Sequence, residues 1–265
     1  MPASVPEPPL RISIAAAVND DAVLANCLAR SPDILNGRAA LRTYVGYGTA
    51  GEAYNAAIDE AQADYIVLAH QDVYLPSNFC EQLASQILLL NIEAPNWAVA
   101  GPIGLDEERR LKGMVWSSGL KRIIGERLPT PTPAISLDEL LLVVRIPSGI
   151  RFDTQLPSFH LFGTDIIYSA AERGFASYVI DAPVIHHSRP VISLKGGYQA
   201  AYRYMQKKWR RRLPMDNLIC TIRSTGLWLT YRHLQIRKRH RGKMARPEPV
   251  GDPAAIAKEV GFESA

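Results

Sequence analysis

The chain has few cysteines and no long apolar run. Cys27, Cys80 and Cys220 are its three cysteines, spread through 265 residues. Their number is odd, and their spacing fits neither a zinc site nor a disulfide framework, which points to a reducing, cytoplasmic compartment. No apolar stretch approaches the roughly 20 residues that span a bilayer. The N-terminus, Met1-Pro-Ala-Ser-Val-Pro-Glu-Pro-Pro, lacks the basic start of a secretion signal. Residues 1–10 are expected to form a disordered leader.

Acidic residues are almost absent from one region. The formal charge is only +4, yet residues 203–246 hold fourteen Lys and Arg against one acid, Asp216. The rest of the chain is therefore acidic. A basic segment on an acidic body suggests a polyanionic partner, with a solvated basic helix as the plain alternative. Clustered charge with the apolar patch Leu227-Trp-Leu-Thr-Tyr231 is the composition of a segment resting on an anionic membrane surface. No aromatic-basic module of a nucleic-acid binder is present in this sequence.

What the chain does have is a pointed strand. Tyr65 to Ala69 is an apolar run too short for an ordinary helix and suited to a strand buried on both faces. It stops at His70-Gln71-Asp72. A carboxylate at the C-terminal end of a buried strand sits where open α/β sheets bind ligands, and its oxygen suits a divalent ion carrying substrate phosphates. A turn aspartate is the alternative. Pro76 ends the ladder, and Ser77 or Asn78 can cap a helix over 77–90.

Around this strand, 11–18, 41–46 and 97–102 read as strands, and 22–30 and 52–63 as helices. The alternation predicts a parallel sheet with helices on both faces. Residues 105–134, with glycines, charges and a Pro-Thr-Pro-Thr-Pro run, read as a surface loop or flap. Residues 135–146 read as a strand interrupted at Asp138-Glu139. Asp165 opens a helix that stops at Gly174. Short strands precede His186-His187, and a basic helix starts near Tyr198, where Tyr198, Tyr202 and Trp209 form a packing stripe. Arg151 and Asp153 are expected to pair across a turn, and residues beyond about 246 to be loose.

In order, the chain carries a strand ending at Asn19, then Ala53-Tyr54-Asn55-Ala56-Ala57 and Tyr65-Ile-Val-Leu-Ala-His-Gln-Asp72. Arg151-Phe-Asp153, Gly163-Thr-Asp165, Gly174-Phe175, His186-His187-Ser188, Lys208-Trp209 and Leu213-Pro214 follow. This set resembles the family 2-like glycosyltransferases of GT-A fold, in the branch whose Asp-x-Asp metal motif reads His-Gln-Asp. The resemblance covers residues 11–214 and leaves 215–265 as a basic C-terminal extension. It implies a mixed α/β sheet flanked by helices. It also implies a nucleotide-sugar donor, a divalent metal (Mn²⁺ or Mg²⁺), inversion at the anomeric carbon, and a glycan or lipid-linked acceptor. Asp72 matches the last acid of the metal motif, with His187 or its neighbour His186 completing the metal shell. Asn19, Asn55, His70 and Gln71 fall on the donor side, and Asp165 matches the general base. The sequence departs from the family at His70, which replaces an acid, and in 41–46, which lacks the acid that reads the nucleobase.

On the acceptor side, Asp138 and Glu139 can line the site or lie on a solvated strand face. Trp116 can stack on a sugar or pack in a core. Two other functions remain open. A non-catalytic nucleotide- or carbohydrate-binding protein on the same fold is one. A sugar-phosphate nucleotidyltransferase is the other, disfavoured because Asn19-Asp-Asp-Ala-Val stands where those enzymes resemble one another in a Gly-rich, Arg-containing loop.

Overall fold

The apolar run at 65–69 forms a strand, and two further strands flank it. The structure, a computed structural model, describes residues 10–240, 248–249 and 251–263. In chain order, Ile12–Val18 (β1), Asp21–Asn26 (α1), Pro32–Leu35 (α2), Leu41–Val45 (β2), Ala50–Glu60 (α3) and Tyr65–Ala69 (β3) come first. Next are Val73–Tyr74 (β4), Phe79–Glu93 (α4), Trp97–Gly101 (β5), Ile103–Leu105 (β6), Leu111–Ser117 (β7), Arg122–Gly125 (β8) and Thr132–Pro133 (β9). Ser136–Leu137 (β10), Leu141–Arg145 (β11), Phe162–Glu172 (α5), Ala176–Val179 (β12) and Val184–His186 (β13) follow, then Gly197–Lys208 (α6), Leu227–Arg239 (α7) and Pro253–Glu259 (α8).

The main sheet runs β2-β1-β3-β11-β5-β12-β9. Every residue of β3 is buried. Ile66 and Leu68 enter the core under α3 and α5, while Tyr65, Val67 and Ala69 enter the core under α4. Period-two alternation thus fills both faces, and each fully buried aliphatic contributes on the order of 1.5–3 kcal/mol. β1 pairs parallel with β2 and β3, as the alternation predicts. β11, however, runs antiparallel to both β3 and β5, so the sheet is mixed. No helix stands between β10 and β11, and β11 enters the main sheet between β3 and β5 from β10 in the second sheet.

A second sheet, β10-β6-β7-β13-β4 with β8 on β7, packs beside the first. It corrects the reading of 105–134 as a loop, because β7 and β8 form an antiparallel hairpin. β7 alternates buried and part-exposed residues. Gly113 within it hides the pattern: its φ is +85°, and a Cβ there would lie 2.0 Å from the Pro102 carbonyl oxygen. Only glycine accepts both constraints.

The helix ends show how sequence sets boundaries. Thr49 and Glu52 make a capping box at α3. Gly174, at φ +79°, terminates α5. Neither Ser77 nor Asn78 caps α4 through its side chain. Buried Asp33 does so from α2, accepting the Cys80 N–H at 2.9 Å.

The tail differs most from expectation. Residues 1–9 and 241–247 lie outside the described residues, but 251–263 is built into the fold. Asp252 caps α8 and pairs with Arg30 at 2.7 Å. Glu263 accepts the Tyr74 hydroxyl at 2.8 Å and the Ser77 N–H at 2.9 Å. Ile256 and Ala257 pack with Cys27, Tyr74 and Ile185.

Replacing Gly174 and Gly113 by alanine separates backbone strain from close contact. Both have positive φ, but nothing lies within 4 Å of a Cβ at Gly174. Gly174→Ala is expected to cost about 1–2 kcal/mol and Gly113→Ala clearly more, read from urea denaturation midpoints. Equal losses would contradict the close approach at Pro102.

Candidate active site

β3 delivers its next three residues to a turn. The His70 N–H bonds the Leu140 carbonyl at 2.9 Å, and the Val73 N–H returns to the His70 carbonyl at 3.1 Å. β4 then pairs antiparallel with β13, setting His186 opposite Val73. The His187 N–H bonds the Asp72 carbonyl at 2.8 Å. Adjacent strand residues face opposite ways, so only one of the two histidines turns inward. His186 Nε2 lies 3.5 Å from Asp72 Oδ1, and His70 Nδ1 lies 3.9 Å from the same oxygen. The His187 ring instead meets the Ser118 hydroxyl at 3.1 Å. Ligand atoms of His70, Asp72 and His186 all fall within 4.8 Å of one another. The inward histidine is therefore His186, and His187 is outside the cluster.

Electrostatics bind this cluster. Burial works to raise the Asp72 carboxyl, but His186 and His70 outweigh it and hold it below the usual carboxylate range. Burial works against a charged His186, and Asp72 reverses that, so its pKa lies above a free histidine's. His70 goes the other way, lowered chiefly by burial. Two imidazoles and a carboxylate, all partly exposed, are a competent donor set for a divalent transition ion. Imidazole donors suit first-row ions from Fe²⁺ to Zn²⁺, and the Asp72 carboxylate also suits Mn²⁺.

The other expected donor-side residues are held by the protein itself. Gln71 Oε1 accepts the N–H groups of Asn19 at 2.9 Å and Asp20 at 3.2 Å, and Gln71 Nε2 donates to Asn19 Oδ1 at 2.7 Å. This clip joins the tips of β1 and β3. Asn55 donates to the Phe152 carbonyl and accepts its N–H, each at 2.9 Å, so it anchors the 151–153 loop from α3. Arg151 and Asp153 do not pair with each other. Arg151 meets Asp59 at 2.8 Å, and Asp153 meets Lys208 at 2.7 Å and the Tyr204 hydroxyl at 2.8 Å.

Asp165 lies in the first turn of α5 and is 2% exposed. Lys208 Nζ donates to it at 2.8 Å and Trp209 Nε1 at 2.7 Å, tying α5 to the end of α6. Burial raises its pKa, and Lys208 and Trp209 oppose that rise. Trp209 is thus more than packing, a role its place in an apolar stripe concealed. Trp116 packs against the small core of Cys27, Tyr74 and Ile185. Asp138 Oδ1 accepts the Leu140 N–H at 3.0 Å. Burial together with Asp138 pushes Glu139 up to about 8, with the nearby peptide groups of Gly163 and Leu161 opposing that rise.

No family model matches this chain. The ATP synthase subunits region ORF 6 of Fuscovulum blasticum is 28% identical over 161 residues, covering 59% of this chain and 64% of that protein. The chain thus spans less than two thirds of that relative. Among solved structures, similarity extends to GalNAc-T7 with UDP, GalNAc and Mn²⁺ at TM-score 0.45 and 11% identity, covering 90% of this chain and 57% of that one. It extends also to the Pyrobaculum calidifontis mannosyltransferase PcManGT in complex with GDP-Man and Mn²⁺, at 0.44 and 11%, covering 96% and 70%. For S. aureus TarS 1–349 the values are 0.44 and 12%, covering 78% and 66%. These likenesses assign no activity, and the functional reading rests on the side chains of this chain.

Isothermal titration with Mn²⁺ tests the cluster. Asp72→Asn is expected to abolish binding without unfolding the protein, and His187→Ala to leave it unchanged. Acidification should weaken binding, because His186 keeps its proton to a higher pH than free histidine does and a metal must displace that proton. Unchanged affinity in Asp72→Asn would remove it from the site.

Proposed function

We propose that this chain is a metal-dependent, inverting glycosyltransferase of GT-A type, moving a sugar from a nucleotide-sugar donor to a glycan or lipid-linked acceptor. The observation that carries the reading is the His70–Asp72–His186 cluster at the tip of a strand buried on both faces. That is where open α/β sheets bind nucleotides. A divalent ion held there would neutralise the departing diphosphate. The Asn19–Gln71 clip would floor the donor site, and the β7–β8 hairpin, paired to β13, would exclude water. Asp165 is the base that the family resemblance would use.

Incubation with a panel of nucleotide sugars and Mn²⁺ tests this. The expected result is release of nucleoside diphosphate, lowered at least about 10²-fold by Asp72→Asn. Donor binding without release would favour a binding protein, and release of pyrophosphate from a nucleoside triphosphate and sugar phosphate would favour a nucleotidyltransferase.

A second observation bears on location. α7 leaves Leu227, Tyr231 and Leu234 exposed at 77%, 50% and 58%, spaced i, i+4, i+7 along one face. Arg237, Lys238 and Arg239 close the helix, which contains no acid. Among the described residues no helix is long and apolar enough to cross a membrane. We infer that α7 rests on an anionic membrane at its cytoplasmic face, close to a lipid-linked acceptor. Each Lys or Arg near such a surface contributes about 1 kcal/mol, screened by salt. Co-sedimentation should show binding to anionic but not neutral vesicles at low salt, lost in the double variant Leu227→Glu, Leu234→Glu. Equal, negligible binding to both vesicle types would leave α7 a solvated helix.

A further inference from the structure

Two carboxylates lie on the α5 side of the site, Asp165 buried and Glu139 partly exposed, and their surroundings differ. We propose that Glu139, rather than Asp165, receives the proton of the acceptor hydroxyl, a proposal that rests on the glycosyl-transfer reading above. Asp165 is fully engaged, with Lys208 and Trp209 donating to its oxygens and almost none of it open to solvent. Its geometry is that of a brace between α5 and α6. Glu139 makes no ion pair with a basic side chain among the described residues.

Glu139 is also linked to the metal cluster through the backbone. It stands in the short link between β10 and β11, next to Leu140, whose carbonyl fixes the His70 backbone at 2.9 Å. The metal cluster and Glu139 are thus held by the same backbone contact. From there its side chain reaches the N-terminal end of α5, beside the peptide groups of Leu161 and Gly163. Gly163 leaves it room, since a Cβ at that position would lie 2.9 Å from Glu139 Cγ. The carboxylate lies near these peptide groups, and among the described residues it pairs with no cation that would hold it ionised and inert.

The groups facing Glu139 are few. Asp138 is on its own turn, Tyr54 approaches from α3 and Tyr198 from α6. Burial raises both phenols well above their usual range, so neither competes for the proton. Asp138 and burial bring Glu139 to about 8, close to the range in which a base works best at neutral pH. In the step, the acceptor oxygen bonds the anomeric carbon and its proton passes to Glu139. The bond from that carbon to the diphosphate oxygen breaks, and its electron pair leaves with the nucleoside diphosphate.

A plain helix cap would use Glu139 the same way structurally, so the test must separate the two. Glu139→Gln keeps an oxygen that can accept the α5 N–H groups. It is expected to lower kcat at least about 10²-fold while Mn²⁺ and donor affinities, read by calorimetry, stay unchanged. Wild-type kcat/KM should rise with pH through a limb near 8, because the base acts ionised. That limb should persist in Asp165→Asn and vanish in Glu139→Gln. Gly163→Ala changes no ionisable group and crowds Glu139, so it should lower kcat more than it alters donor KM. It also keeps the test decisive if Glu139→Gln does not fold. Near-normal turnover of Glu139→Gln, or of Gly163→Ala where Glu139→Gln does not fold, would overturn the proposal, as would loss of the limb in Asp165→Asn instead. Wild-type protein that turns over no donor at all would instead sink the glycosyl-transfer reading on which it stands.

Discussion

A strand buried on both faces cannot slip in register without moving every side chain into the wrong core, and β3 is such a strand. Its five residues are divided between two cores, and its edges pair with β1 and β11 over most of their length. The position of His70 and Asp72 follows from that pairing. So does the position of Glu139, since β11 is entered one residue after Leu140 grips the His70 backbone. β4 and β13 extend the same frame to His186.

The site built on this frame is dominated by acids with imidazoles between them. Asp72 holds His186 and is held by it, while Asp138 adds negative charge that acts on both cluster histidines. Burial makes that concentration costly. A divalent cation would relieve it and, in doing so, draw the phosphates of a donor to the strand tip. Lys208 is committed to Asp153 and Asp165. It braces α6 against α5 and the 151–153 loop, leaving the metal position to the histidines.

Much of this was legible in the sequence because it is local. The run Tyr65–Ala69 announces a buried strand, the break at Asp138-Glu139 marks the link between β10 and β11, and Gly174 ends a helix. What was not legible depends on pairing between distant residues. The choice between His186 and His187 turns on a one-residue register against β4. The engagement of Asp165 rests on Lys208 and Trp209, more than forty positions away. Asn55 looks like a donor contact until its partner, the Phe152 backbone, is seen. The hairpin in 105–134 was masked by the glycine at 113, which reads as a turn residue though it sits at a buried position of β7. By contrast α8 carried a readable signal, Asp252 before Pro253, that the polar tail composition obscured.

The claim on which the account turns is that His70 and His186, with Asp72, hold the metal. Electron spin-echo measurements on Mn²⁺ bound to the protein detect directly coordinated nitrogen. The account expects coupling to two imidazoles, reduced to one in either His70→Ala or His186→Ala and unaffected in His187→Ala. Coupling that disappears with His187 and survives the loss of His186, or no nitrogen coupling at all, would contradict it.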